Sequence, residues 1–169
     1  MSGVGKSTLT NKLSFVLKKC DYSVHILDGD AVRKLKFAPD DFSEDAILEN
    51  NYSIINECNK LVNDYDFILV AVISPFTITR EFARHTLNEN YYEIFVKCSK
   101  KELIFRDTKG LYKKAINEEI DNLVGFSQSP TYEIPTKPNL ILQTDSLSID
   151  NSVRLIITKL KEFGYMQNV

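Results

Sequence analysis

The stretch Met1-Ser2-Gly3-Val4-Gly5-Lys6-Ser7-Thr8 decides how the rest of the chain is read. It carries the back half of the pattern G-x-x-x-x-G-K-[ST], a loop that wraps phosphate groups at the start of a helix. The residue types follow from that task. Gly3 and Gly5 let the backbone curl so that successive N–H groups point inward at phosphate oxygens. Lys6 supplies a mobile positive charge for the β- and γ-phosphates, and Ser7 offers a hydroxyl to Mg²⁺. The helical pattern from Thr8 to about Lys19 turns its positive dipole end toward the same anion. The first glycine of the pattern would sit one position ahead of Met1, and a phosphate loop normally hangs from a buried strand in mid-sheet. The expectation is therefore that an apolar segment ending in glycine precedes Met1. Without it, the strands on either side would carry unpaired backbone.

The chain has 169 residues, enough for one domain with a sizeable core. Its 43% hydrophobic and 26% charged content suits a soluble globular protein. A net charge of −2 with no long basic run argues against nucleic acid as the main partner. Cys20, Cys58 and Cys98 are widely spaced without C-x-x-C, and only His25 and His85 accompany them. Free thiols in a reducing cytoplasm fit better than a zinc site or a disulfide framework. No segment approaches the ~18 uninterrupted apolar residues of a membrane span, and no signal peptide is visible.

Outward from the loop, apolar runs alternate with helical patterns. Ser23–Leu27 reads as a short strand ending at Asp28-Gly29-Asp30, and the stretch from Asp45 to about Asp64 has helical periodicity. Phe67–Ile73 (FILVAVI) is a continuous apolar run suited to a sheet covered on both faces, stopped at Ser74-Pro75. Thr79–Leu87 is helical, Tyr92–Lys97 strand, and Ser99–Arg106 helical with Ser99 as its cap. The polar stretch from Thr108 to Pro138, helical around Leu111–Leu123, reads as a lid spanning about 108–135. Asn139–Leu142 is a last short strand and Ser148–Phe163 a closing amphipathic helix. The alternation implies an α/β fold, a parallel sheet with helices on both faces and right-handed crossovers, in one domain over 1–169. Ligands gather at the C-terminal ends of such strands. Asp28, Asp30, Ser74 and Pro75 all fall there.

By composition Asp28-Gly29-Asp30 is a polar turn. After a phosphate loop, two carboxylates can also hold the water shell of Mg²⁺ or accept a hydroxyl proton, and Arg33 can bind an acceptor phosphate. Downstream lie Phe42-Ser43, Glu49-Asn50, Ile73-Ser74-Pro75 with Arg80, and Arg106-Asp107-Thr108-Lys109-Gly110-Leu111-Tyr112-Lys113-Lys114-Ala115. With these strings the chain resembles the adenylylsulfate kinases, collinearly from Ser2 to about Pro135. Those enzymes have a P-loop nucleotide kinase fold and phosphorylate the ribose 3′-hydroxyl of adenosine 5′-phosphosulfate with Mg·ATP. The resemblance implies that Gly3, Val4, Gly5, Lys6, Ser7 and Thr8 hold ATP phosphates, with Ser7 and Asp28 on the metal side and Arg106 near the adenine. It places Asp30 nearest the attacking hydroxyl, and Arg33, Asn50, Ile73, Ser74 and Lys109 on the acceptor nucleotide, with Phe42 stacked on its base. At least one of Lys113 and Lys114 reads as a solvated lid face. A homodimer is an assembly the resemblance allows; nothing in the sequence sets the oligomeric state.

The departures cluster on the acceptor side. The family pattern F-S-x-x-D-R-x-E-N-x-R-R has its D-R at Ala46 and Ile47 and its R-R at Tyr52 and Ser53. Thr77 stands where a basic residue is common, Leu123, which the resemblance places at the acceptor, stands where the family has the F of F-T-G, and the stretch Phe126–Tyr132 is two residues longer. Removing one charge-assisted hydrogen bond to a bound anion costs about 1.5–3 kcal/mol, roughly one to two decades of affinity. The chain is then either an adenylylsulfate kinase with a rebuilt pocket or a paralogue phosphorylating the 3′-hydroxyl of a less charged nucleotide, such as cytidine diphosphoramidate. An ATP-binding fragment without turnover is a third reading. For the active readings the expected chemistry is in-line phosphoryl transfer, with Lys6, Asp28 and Asp30 as its catalytic groups.

Overall fold

A computed structural model describes residues 1–36, 43–128 and 130–167. Helix α1 (Lys6–Lys19) buries Leu9, Leu13 and Leu17, spaced one turn apart on one face, and ends on Lys18 and Lys19, which suit its negative pole. Strand β1 (Val24–Asp28) leads into α2 (Gly29–Lys36), and α3 (Glu44–Leu61) starts where the Ser43 hydroxyl accepts from the Ala46 N–H at 3.3 Å. Strand β2 (Phe67–Ala71), α4 (Thr77–Leu87), strand β3 (Ile94–Lys97) and α5 (Lys100–Arg106) follow. Ser99 caps α5 through the Glu102 N–H at 3.4 Å, as its sequence suggests. Then come α6 (Leu111–Ile116), strand β4 (Leu140–Gln143) and α7 (Ile149–Glu162), the last capped by Ser148.

Both strand pairings are parallel. β1 runs beside β2 from Val24 opposite Phe67 to Asp28 opposite Ala71, and β3 beside β4 from Ile94 opposite Leu140 to Lys97 opposite Gln143. The first register is clasped at its start, where Asp66 accepts from the Ser23 N–H and hydroxyl at 2.7 and 2.6 Å. Helices α1 and α7 pack together over the sheet, as do α3 and α4. One core joins α1 and α7 to the strands through Leu13, Leu17, Val24, Leu142, Val153 and Ile156. A second lies under the phosphate loop, built from Val4, Cys98, Leu103, Tyr112 and Leu123. The α/β class and parallel strands agree with the sequence reading.

Among the described residues the strands form two parallel pairs, β1–β2 and β3–β4. Several local expectations need correction. β2 leaves its ladder after Ala71, so Val72 and Ile73 belong to the following turn. The helix expected over 111–123 stops at Ile116, because Glu118 takes a left-handed φ of 61°. Asp28-Gly29-Asp30 begins a helix instead of forming a simple turn.

Candidate active site

The phosphate loop has the curl its glycines foretell: Gly3 and Gly5 have φ of 73° and 97°, in the left-handed region. Gly5 precedes α1 and supplies no side-chain cap, which leaves the first-turn N–H groups aimed at an incoming anion. Distant residues hold the loop from behind. The hydroxyl of Tyr112, a residue only 2% exposed, donates to the Ser2 carbonyl at 2.9 Å. Thr144 Oγ1 donates to the Val4 carbonyl at 2.9 Å, and Lys6 Nζ to that of Met1 at 2.8 Å. Burial pushes the Lys6 ammonium down to about 8, with Lys109 adding to the fall and Asp30 and Asp28 opposing it.

Opposite the loop, Asp28 ends β1 and serves two partners. Its Oδ1 accepts from the Asp30 and Ala31 N–H groups at 2.9 and 3.3 Å, starting α2, while Oδ2 accepts from the Ser7 hydroxyl at 2.9 Å. Between the two carboxylates only glycine fits. A Cβ on Gly29 would lie 2.8 Å from Val72 Cγ2 and 3.2 Å from Val72 Cα. Asp30 projects toward the loop and meets the Lys109 ammonium in a close ion pair. Partial burial favours its neutral form, but the Lys109 hydrogen bond and the charges of Lys109, Lys6 and Arg33 outweigh it and hold the carboxyl below its usual range.

The acceptor candidates lie at the same strand ends. Asn50, 5% exposed, donates from Nδ2 to the Gly29 carbonyl at 3.4 Å, and its Oδ1 has no partner among the described residues. Asn51 donates to the carbonyls of Ile47 and Ile73 at 2.8 and 3.2 Å, tying α3 to the Ile73-Ser74-Pro75 turn. Ser74 shares a hydrogen bond with Thr79 at 2.9 Å. Arg80, nearly buried, donates to the carbonyls of Ser74 and Glu133 at 2.8 and 2.9 Å. Glu133 in turn accepts from the Thr77 N–H at 2.5 Å, so the far end of the 108–135 segment is moored to this turn.

Two candidates stand apart from this meeting of loop and carboxylates. Arg106 is bound to Glu102 at 2.9 Å and to the Thr144 carbonyl at 2.8 Å, on the side of the loop backed by Val4. Leu123, 7% exposed, is part of the apolar core beneath the loop. Phe42 lies outside the described residues. Lys113 and Lys114 are exposed, consistent with a solvated face. The sequence reading assigned nothing to Asn51, Tyr112 or Thr144. Tyr112 lay inside a string already singled out, whereas Thr144 stands 140 residues from its partner Val4 and has no local signal.

A glycine-rich loop opening a helix, a lysine within it, and two carboxylates at the end of a neighbouring parallel strand define a P-loop kinase, an enzyme that moves a phosphoryl group from ATP. The sequence profile described as adenylylsulphate kinase matches residues 1–143. The chain therefore belongs to the adenylylsulphate kinase family. It is 40% identical over 173 residues to the adenylyl-sulfate kinase of Oceanobacillus iheyensis, covering 98% of this chain and 83% of that protein. It is 37% identical over 167 residues to that of Gloeothece citriformis, covering 99% and 93%. The APS kinase of Mycobacterium tuberculosis, solved with AMPPNP and APS, superposes with a TM-score of 0.86 at 29% identity, over 95% of this chain and 93% of that one.

Proposed function

We propose that this protein transfers the γ-phosphate of ATP to the ribose 3′-hydroxyl of adenosine 5′-phosphosulfate, giving 3′-phosphoadenylyl sulfate and ADP. The observation that carries this reading is the meeting of Ser7, Asp28 and Asp30 beside Lys6, with Lys109 reaching Asp30 from across the site. The backbone of Gly3, Val4 and Gly5 and the start of α1 at Lys6, Ser7 and Thr8 cradle the ATP phosphates. Lys6 neutralises charge on the migrating group. Asp30 orients the 3′-hydroxyl and accepts its proton at a carboxylate oxygen, a role suited to a carboxyl kept ionised. Arg33, Asn50, Ile73, Ser74 and Lys109 face the acceptor nucleotide, and Arg106 borders the donor base. The 108–135 segment closes over the reaction and keeps water from the γ-phosphate.

The Ser7 hydroxyl and the Asp28 carboxylate are hard oxygen donors 2.9 Å apart, the kind of group that suits Mg²⁺. Mg²⁺ keeps much of its water shell and takes phosphate oxygens from the nucleotide, so one hydroxyl and one carboxylate would serve as the protein's share. When bound, the ion withdraws charge from the β- and γ-phosphates. A cytoplasmic location is proposed because ATP, the phosphoryl donor, is held there; separately, no helix among the described residues is long and apolar enough to cross a membrane. A homodimer is the assembly proposed, on family resemblance alone; light scattering checks it.

One observation favours a second acceptor. Ala46 and Ile47 are buried apolar residues and Tyr52 packs edge-on against Phe82, so this wall offers an acceptor anion no cation at those positions. The test is ADP release from Mg·ATP with adenosine 5′-phosphosulfate and, separately, with cytidine diphosphoramidate. Turnover on the first establishes the proposed substrate. Silence there with turnover on the second keeps the mechanism and replaces the acceptor. ATP binding without turnover on either would leave only the inactive-fragment reading.

A further inference from the structure

On the acceptor side, each backbone carbonyl of the turn Ile73-Ser74-Pro75-Phe76 is bound to a donor. Ile73 accepts from Asn51 Nδ2 at 3.2 Å, Ser74 from Arg80 Nη1 at 2.8 Å, Pro75 from the Glu133 N–H at 2.9 Å and Phe76 from the Thr79 hydroxyl at 2.9 Å. Two of these donors, Arg80 and Glu133, belong to residues that have no task in the transfer reaction described above. Arg80 Nη2 donates both to Thr77 Oγ1 at 3.0 Å and to the Glu133 carbonyl at 2.9 Å. Glu133 returns the contact, its carboxylate accepting from the Thr77 N–H at 2.5 Å. Arg80 is 7% exposed, and Glu93, 9% exposed, stands 3.7 Å from its Nε as the matching charge. Glu93 is itself fixed by Arg84 at 2.8 Å and by Asn139, which accepts from its N–H at 2.8 Å and donates to its carbonyl at 2.9 Å.

We infer that Arg80 is a positioning residue for the acceptor: it clasps the Ile73–Phe76 turn to Glu133 and so sets the geometry of the acceptor wall. A guanidinium suits this task and an ammonium does not. Its planar fork reaches the Ser74 carbonyl with one nitrogen and, with another, a segment 53 residues further along. A lysine in its place would satisfy one of these oxygens and leave the others without a donor. Thr77 makes the clasp particular to this chain. A basic side chain there could not accept from Arg80, whereas the threonine hydroxyl does, and it holds the fork against the turn. The departure that removes a cation from this wall thus adds an acceptor to the clasp. That the turn meets the acceptor nucleotide rests on the kinase reading above; the clasp itself does not.

The test compares the wild-type protein with Arg80→Lys, Glu133→Ala and the double variant, using Mg·ATP and adenosine 5′-phosphosulfate. Arg80→Lys should raise the acceptor KM by ~10-fold while kcat and the ATP KM stay within about twofold. Glu133 is exposed, so Glu133→Ala keeps the fold and decides the matter should Arg80→Lys not fold. Its acceptor KM should rise by ~5-fold. Both changes break one clasp, so the double variant should match Arg80→Lys instead of multiplying the two effects. An unchanged acceptor KM in either single variant would overturn the inference, as would equal rises in both KM values or effects that multiply. Hydrogen exchange separates this inference from the kinase reading. The Thr77 and Glu133 amides, which bond across the clasp, should exchange ~10-fold faster in Arg80→Lys, with Ile94–Lys97 unchanged. Silence of the wild-type protein with the phosphosulfate would fail the kinase reading alone, and exchange then decides the clasp. Equal exchange at those two amides in both proteins would overturn it.

Discussion

Around Ser2–Thr8, hydrogen bonds from Tyr112 and Thr144 reach across the fold to hold a loop whose own residues are all suited to phosphate. Along the wall formed by α3, the equivalent work falls to packing: Ala46, Ile47 and Ile54 are buried, Tyr52 packs edge-on against Phe82, and only Asn50 keeps an unpartnered buried acceptor. A groove of about 550 Å³ beside that wall is lined by Glu49 and Glu57 against the single cation Lys60, among its lining residues. The donor loop is thus braced and anion-ready, while the α3 wall brings no cation to the acceptor at Ala46, Ile47 or Tyr52. Retention of the first with drift in the second is what a change or relaxation of acceptor specificity would produce, because the phosphoryl donor stays the same.

Five measurements test that contrast. The largest effect is expected from Asp30→Asn, which keeps shape and removes the base. Turnover should fall by about 10²–10⁴-fold with folding intact by circular dichroism. Near-normal turnover would remove the general-base role and leave only orientation. Next is Lys6→Ala, which should lower kcat by about 10²–10³-fold. The same lysine predicts a pH dependence. Its protonated form binds phosphate, so ATP affinity should be level at neutral pH and weaken by about tenfold per unit above a pH near 8, where the free protein's Lys6 loses its proton. Calorimetry in buffers of different ionisation heat would detect proton uptake on binding at pH 8.5–9; affinity that stays level through that range would mean that Lys6 keeps its proton there in the free protein.

Tyr112→Phe tests the mooring of the loop. It deprives the buried Ser2 carbonyl of its donor and should lower unfolding free energy by about 1–3 kcal/mol while raising the KM for ATP more than that for the acceptor. A change confined to the acceptor KM would show that Tyr112 supports the lid and not the loop. The smallest effect is expected from Tyr52→Arg. Restoring a cation to the α3 wall should tighten adenosine 5′-phosphosulfate by about tenfold and leave ATP unaffected. No change in either KM would mean that this face of α3 does not meet the acceptor.

Much of the site was legible because its chemistry is local. Gly3, Gly5, Lys6 and Ser7 act through their own backbone and side chains, and Asp28 and Asp30 follow a strand whose apolar run is plain. α2 was missed because Asp28-Gly29-Asp30 has turn composition, and only the capping of Asp30 and Ala31 by Asp28 makes it a helix start. The overlong helix after Leu111 reflects periodicity that continues past Ile116 although the backbone breaks at Glu118. Arg106 and Tyr112, conspicuous in one string, divide their work: one bonds to Thr144 and the other to Ser2, and nothing in their spacing announces either partner.

The class of fold, the phosphate loop and the identity of the two carboxylates could be read from residue types alone, because each rests on residue type at short range. The tertiary structure alone decided that Lys109 meets Asp30 and that Thr144 and Tyr112 brace the loop. Those features join residues as far as 140 positions apart, and the side chains that make them carry no pattern until strand register and helix packing bring them within a few ångströms of each other.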